Sequence, residues 1–162
     1  MDIKDDNSIL SEIAAKLEKT AEILNKLGYD YESISPKEFY NYMTGETPTG
    51  DTTTLEDVLN NEFLMVHEFV EISELKKMNT LINEQTIMKF YPNVYEAHFT
   101  ALDYELTYAL NKKAYEWVRK RLKNFASQLD DPYLPSEFNY LKKKLASKYT
   151  LIMKKFSKYL KT

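Results

Sequence analysis

The chain has 162 residues, no cysteine, 22 Lys and Arg against 25 Asp and Glu, and a net charge of −3. The lack of cysteine excludes disulfides, thiolate metal sites, iron–sulfur clusters and cysteine nucleophiles, and suits a cytoplasmic location. Few glycines and prolines, an acidic start unlike a signal peptide (Met1-Asp2-Ile3-Lys4-Asp5-Asp6) and no apolar run near the ~18 residues of a membrane span point to one soluble all-α domain over residues 1–162.

The elements read as helices nearly throughout. The first spans residues 8–27, with Ser8 as N-cap and Gly28 as its stop. Its apolar residues Leu10, Ile13, Leu17, Leu24 and Leu27 recur at helical spacing. Ser35-Pro36-Lys37-Glu38 is a capping box with proline in the first turn, opening a short helix that ends at Gly45. Residues 45–54 form a loop. Its glycine spacing mimics a phosphate-binding loop, but Asp51 stands where a lysine is needed and would repel phosphate.

Thr54 then caps a helix predicted to run unbroken to Met78. It is apolar around most of its circumference, which marks a central helix. Residues 79–91 fit either an extended piece or a further helical turn. Pro92 suits the first position of a helix to Asn111, with a polar stripe of Glu96, Thr100, Asp103 and Thr107. A basic helix follows from Ala114 to about Leu129. Ser136 caps the last, which would bury Phe138, Leu141, Leu145, Ile152 and Phe156. The expected fold is a multi-helix bundle of five to seven helices, with 54–78 and 92–111 as a central antiparallel pair.

Charge is unevenly placed. Residues 1–111 hold 8 basic and 21 acidic residues, whereas residues 112–162 hold 14 and 4. The basic part either packs on the acidic remainder, within the chain or in a homo-oligomer, or forms a surface for nucleic acid or an acidic protein. Solvated lysines whose stems cover the edge of the core give the same pattern without a partner.

Two histidines occur, each in an apolar helical stretch. His67 and Glu71 are one turn apart; His98 and Glu105 are two turns apart on the apolar side of their helix. Buried ionisable groups need partners. If the two helices pack together, these side chains converge. A mixed imidazole and carboxylate set suits Zn, Fe, Mn or Ni. Glu62 is a further candidate ligand, and Glu68 a candidate general base for metal-assisted hydrolysis. The competing reading makes the His–Glu pairs a polar network that only fixes packing. Tyr91, Tyr95, Tyr104 and Tyr108 are candidates to support a site carboxylate.

Family patterns match in part. His67-Glu68-Phe69-Val70-Glu71 is similar to the zincin motif but has Glu71 in place of the second histidine, so that activity does not carry over. The ferritin-like di-iron pattern needs a glutamate three residues before each histidine. Leu64 and Tyr95 stand there instead. Glu68-Phe69-Val70-Glu71 resembles the first magnesium-holding motif of helical nucleotide pyrophosphohydrolases. The second motif is broken by Thr100. Residues 61–78 and 95–110 resemble an uncharacterised archaeal family of helical proteins, which implies an all-helical fold and no particular activity.

Two expectations follow. One is a helical protein with a divalent-metal site between two central helices, held by His67, Glu71, His98 and Glu105 with Glu62 in reserve. The other is a non-enzymatic interaction module that binds an acidic partner or nucleic acid through residues 112–161.

Overall fold

The helical periodicity becomes eight α-helices within residues 6–47, 53–128 and 139–159, the parts of the chain that the computed structural model describes. They are α1 (Asp6–Lys26), α2 (Pro36–Thr44), α3 (Leu55–Leu59), α4 (Glu62–Lys77), α5 (Thr86–Lys89), α6 (Tyr91–Asn111), α7 (Tyr115–Gln128) and α8 (Asn139–Phe156), with a 3-10 turn at Ser157–Tyr159. No strand occurs among the described residues. The chain clusters into two compact units, Met1–Glu105 and Leu106–Thr162, the division falling inside α6.

Eight helices exceed the five to seven expected, for two reasons. The helix predicted over 54–78 is broken at Asn60-Asn61. The backbone of Asn61 is extended (φ −136°, ψ 114°), and its side-chain oxygen accepts from the N–H groups of Phe63 at 2.9 Å and Leu64 at 3.1 Å. A side chain that competes this well for helix N–H groups starts a new helix rather than continuing an old one. The ambiguous stretch 79–91 contains the single-turn α5. Pro92 is the second residue of α6 rather than its first. Ser136, Phe138 and the side chains of Leu141 and Leu145 lie outside the described residues.

In the first unit, α4 is central, as its apolar circumference predicts. Met65, Val66, Phe69, Val70, Ile72 and Leu75 are all buried, and His67 and Glu71 are buried on the remaining side of the helix. Helix α1 packs on α2 and α4, turning in Ile13, Leu17 and Leu24. It ends in a left-handed cap at Gly28 (φ 77°), where the Tyr29 N–H returns to the Leu24 carbonyl at 3.0 Å. The capping box at Ser35–Glu38 starts α2 as the sequence indicates. Lys76 straps this start to α4, its ammonium donating to the Ser33 carbonyl at 2.7 Å and to Glu38 at 2.9 Å. Helix α2 then lays Phe39 and Tyr42, three apart, into the core. Its far end is fixed at Gly45, where a Cβ would run into the backbone of Glu84 and where the Glu46 N–H donates to the Glu84 carbonyl at 3.0 Å. That close approach explains the glycine without a phosphate.

In the second unit, α7 buries Val118, Leu122 and Phe125 at helical spacing, and α8 buries Ile152 and Phe156. Tyr115 stacks on Tyr159 with ring centroids 6.0 Å apart. No helix among the described residues is long and apolar enough to cross a membrane.

Candidate metal centre

Helix α4 carries His67 and Glu71 one turn apart, so both side chains leave the helix in the same direction. Helix α6 supplies His98 and Glu105 to the same place. The His67 Nδ1 lies 2.8 Å from Glu105 Oε1, and its Nε2 lies 3.1 Å from His98 Nδ1 and 3.2 Å from Glu71 Oε2. His67, Glu71 and Glu105 are buried, at 2 %, 6 % and 0 % exposure, and His98 is half-buried. Helix α2 adds a residue that the sequence reading passed over: the Tyr42 hydroxyl donates to Glu71 Oε1 at 3.0 Å.

One donor atom from each of His67, Glu71 and His98 falls within 4.8 Å of the other two. Two ligands each bound at ~2.0–2.1 Å to one metal sit roughly 3–3.5 Å apart, the spacing seen around His67 Nε2. Glu105 is placed differently. It meets the opposite edge of the His67 ring, where a carboxylate fixes the tautomer and orientation of a ligating histidine. Glu62 is exposed in the first turn of α4, and Glu68 is half-buried; neither is in the converging group.

Burial and charge pull the groups of this site in opposite directions. Burial alone would push the His67 imidazole down, but the hydrogen bonds and charges of Glu105 and Glu71 outweigh it and raise it to about 10. Burial pushes the Glu71 carboxyl up, yet His67, His98 and the Tyr42 hydroxyl hold it below the ordinary carboxylate range. A divalent cation held by neutral imidazoles balances the two carboxylates, Glu71 and Glu105, which matters where charges are taken out of water.

The other sequence candidates have different surroundings. Tyr91 and Tyr95 approach each other, hydroxyl to hydroxyl, at 3.3 Å, and the Tyr104 ring packs on Tyr29. The Glu-x-x-Glu repeat is divided: Glu71 joins the histidines, whereas Glu74 meets Tyr29 and Lys77, at 3.0 and 3.1 Å. On α7, Lys120 and Lys123 are exposed and Arg119 pairs with Glu116 at 2.9 Å.

The fold and this cluster define an all-helical protein with a group of His67, Glu71 and His98 suited to a metal ion. No known protein family, curated protein or solved structure matches the chain.

Proposed function

We propose that the chain binds a divalent transition metal through His67 Nε2, Glu71 Oε2 and His98 Nδ1, with Glu105 orienting His67 from behind. The observation that carries this reading is the convergence of the three donor atoms within 4.8 Å on buried or half-buried side chains. Two imidazoles and one carboxylate favour Zn, Fe, Mn or Ni over Mg or Ca, which prefer all-oxygen shells. The reading takes α4 and α6 as an antiparallel pair. In support, the partners on one descend as those on the other rise: His67 with Glu105, Glu71 with His98, and Thr80, just past α4, with Asn93. A metal bound here supplies a Lewis acid and a water of lowered pKa, the requirements of hydrolysis. In that role Glu68, next to His67 in sequence, is the candidate base.

Metal analysis after chelator stripping and reloading tests the reading. It expects one ion per chain, lost in His98→Ala. A stripped protein that takes up no ion under any of the four metals removes it and leaves an imidazolium network that holds helices in place.

A second reading concerns residues 112–162, whose 14 basic against 4 acidic residues favour an anionic partner, nucleic acid or acidic protein. A salt titration of nucleic-acid binding tests it. The nucleic-acid form expects affinity that falls steeply with salt, and absence of binding at low salt removes that form.

A further inference from the structure

We propose that the metal held by His67, Glu71 and His98 keeps a coordination position open to a small anionic ligand, and that Tyr42 preserves that opening by tying up one oxygen of Glu71. The inference rests on the metal reading above.

Three features of the site lead to it. Among the described residues only three side chains converge, and sites with three protein donors leave a position for water or substrate, whereas structural sites close with four. Glu105 does not fill the gap, because its carboxylate meets the Nδ1 edge of His67, away from the Nε2 that faces Glu71 and His98. Glu71 does not fill it either. Its Oε1 accepts from the buried Tyr42 hydroxyl at 3.0 Å while its Oε2 faces His67 Nε2 at 3.2 Å. A carboxylate gripped at one oxygen ligates through the other and stays monodentate.

Access and charge indicate the class of ligand. His67 and Glu71 are buried, and His98, half-buried, is the member of the group nearest to solvent. With two neutral imidazoles and a single directly bound carboxylate, a divalent ion keeps one positive charge within its own shell, the Glu105 carboxylate lying beyond the far edge of the His67 ring. A small monovalent anion cancels it: hydroxide, a carboxylate or another small oxyanion. The group is built to exchange a fourth ligand rather than to staple two helices.

The test uses the full-length protein loaded with Co(II), whose visible absorption reports coordination number, titrated with azide. The proposal expects a saturable spectral change at one azide per cobalt. Tyr42→Phe, checked for its helical circular dichroism, should still bind one Co(II) but with azide affinity lowered about tenfold, because the freed Glu71 oxygen competes for the metal. A cobalt spectrum indifferent to azide overturns the open position while leaving metal binding intact. Failure to take up cobalt overturns the inference, while the metal reading stands or falls separately on uptake of Zn, Fe, Mn or Ni. Unchanged azide affinity in Tyr42→Phe overturns the role given to Tyr42.

Discussion

His67 is where the physics of single residues is most concentrated. Its ring is gripped by Glu105 at one nitrogen and faces Glu71 and His98 at the other, with Tyr42 bonded to Glu71 from α2. Its pKa is raised to about 10, so in the folded state the proton is retained well above the ordinary value near 6.5. Below about 6.5 both folded and unfolded states hold the proton and the stabilisation is complete. As pH rises from there through about 10, the folded state holds a proton that the unfolded chain has released, and stability falls by at most about 1.4 kcal/mol per pH unit. Urea denaturation of chelator-treated protein at pH 6.5, 8 and 9.5 should show this decline, and His67→Gln should flatten it. A metal displaces the same proton, so metal affinity should rise over that range. Glu105→Ala, which leaves His67 buried without its nearest carboxylate, should cost about 3 kcal/mol by the same denaturation assay. The His67–Glu71 half of this site was legible in the sequence, since four-residue spacing on an apolar helix places two side chains together whatever the fold. Tyr42 was not legible. Its distance from Glu71 is set by the Lys76 strap and the Gly45–Glu84 approach, contacts between segments far apart in sequence.

At the scale of elements, caps decide where helices begin and end. The sequence showed the Ser35–Glu38 box, the Thr54 start and the Gly28 stop, because each depends on residues within one turn. It hid the break between α3 and α4, because apolar periodicity runs through Asn60-Asn61 without interruption. That break sets the register of α4 and hence the aim of His67 and Glu71. Asn61→Ala removes the acceptor for two N–H groups and should cost about 1 kcal/mol of stability. The complementary gain lies at Lys113, which closes α6 with a left-handed backbone (φ 59°) while the Ala114 N–H returns to the Ala109 carbonyl at 2.8 Å. A Cβ is disfavoured in that conformation, so Lys113→Gly should stabilise the protein by about 0.5–1 kcal/mol. Denaturant midpoints at unchanged m-value measure both changes.

For the whole molecule, the all-helical class follows from periodicity and from the scarcity of glycine and proline. The grouping of the chain into two units does not, because α6 runs through the division as one continuous helix of 21 residues with no break in its pattern. All the residues of the candidate centre, from Tyr42 to Glu105, belong to the first unit. A ligand that binds only the folded state stabilises it by about 2.7 kcal/mol at a concentration one hundred times its Kd. For a chain of this size each kcal/mol moves the melting temperature by roughly 2–4 °C. Loading the stripped protein with its preferred ion to that concentration should therefore raise the melting temperature of the chain by about 8 °C. His98→Ala should abolish the increment while changing the metal-free melting temperature far less, because His98 is only half-buried. Calorimetry separates the two outcomes. An equal rise in wild type and variant would mean that the ion acts elsewhere on the protein, and no rise in either would leave α4 and α6 joined by a proton-bridged His–Glu network alone.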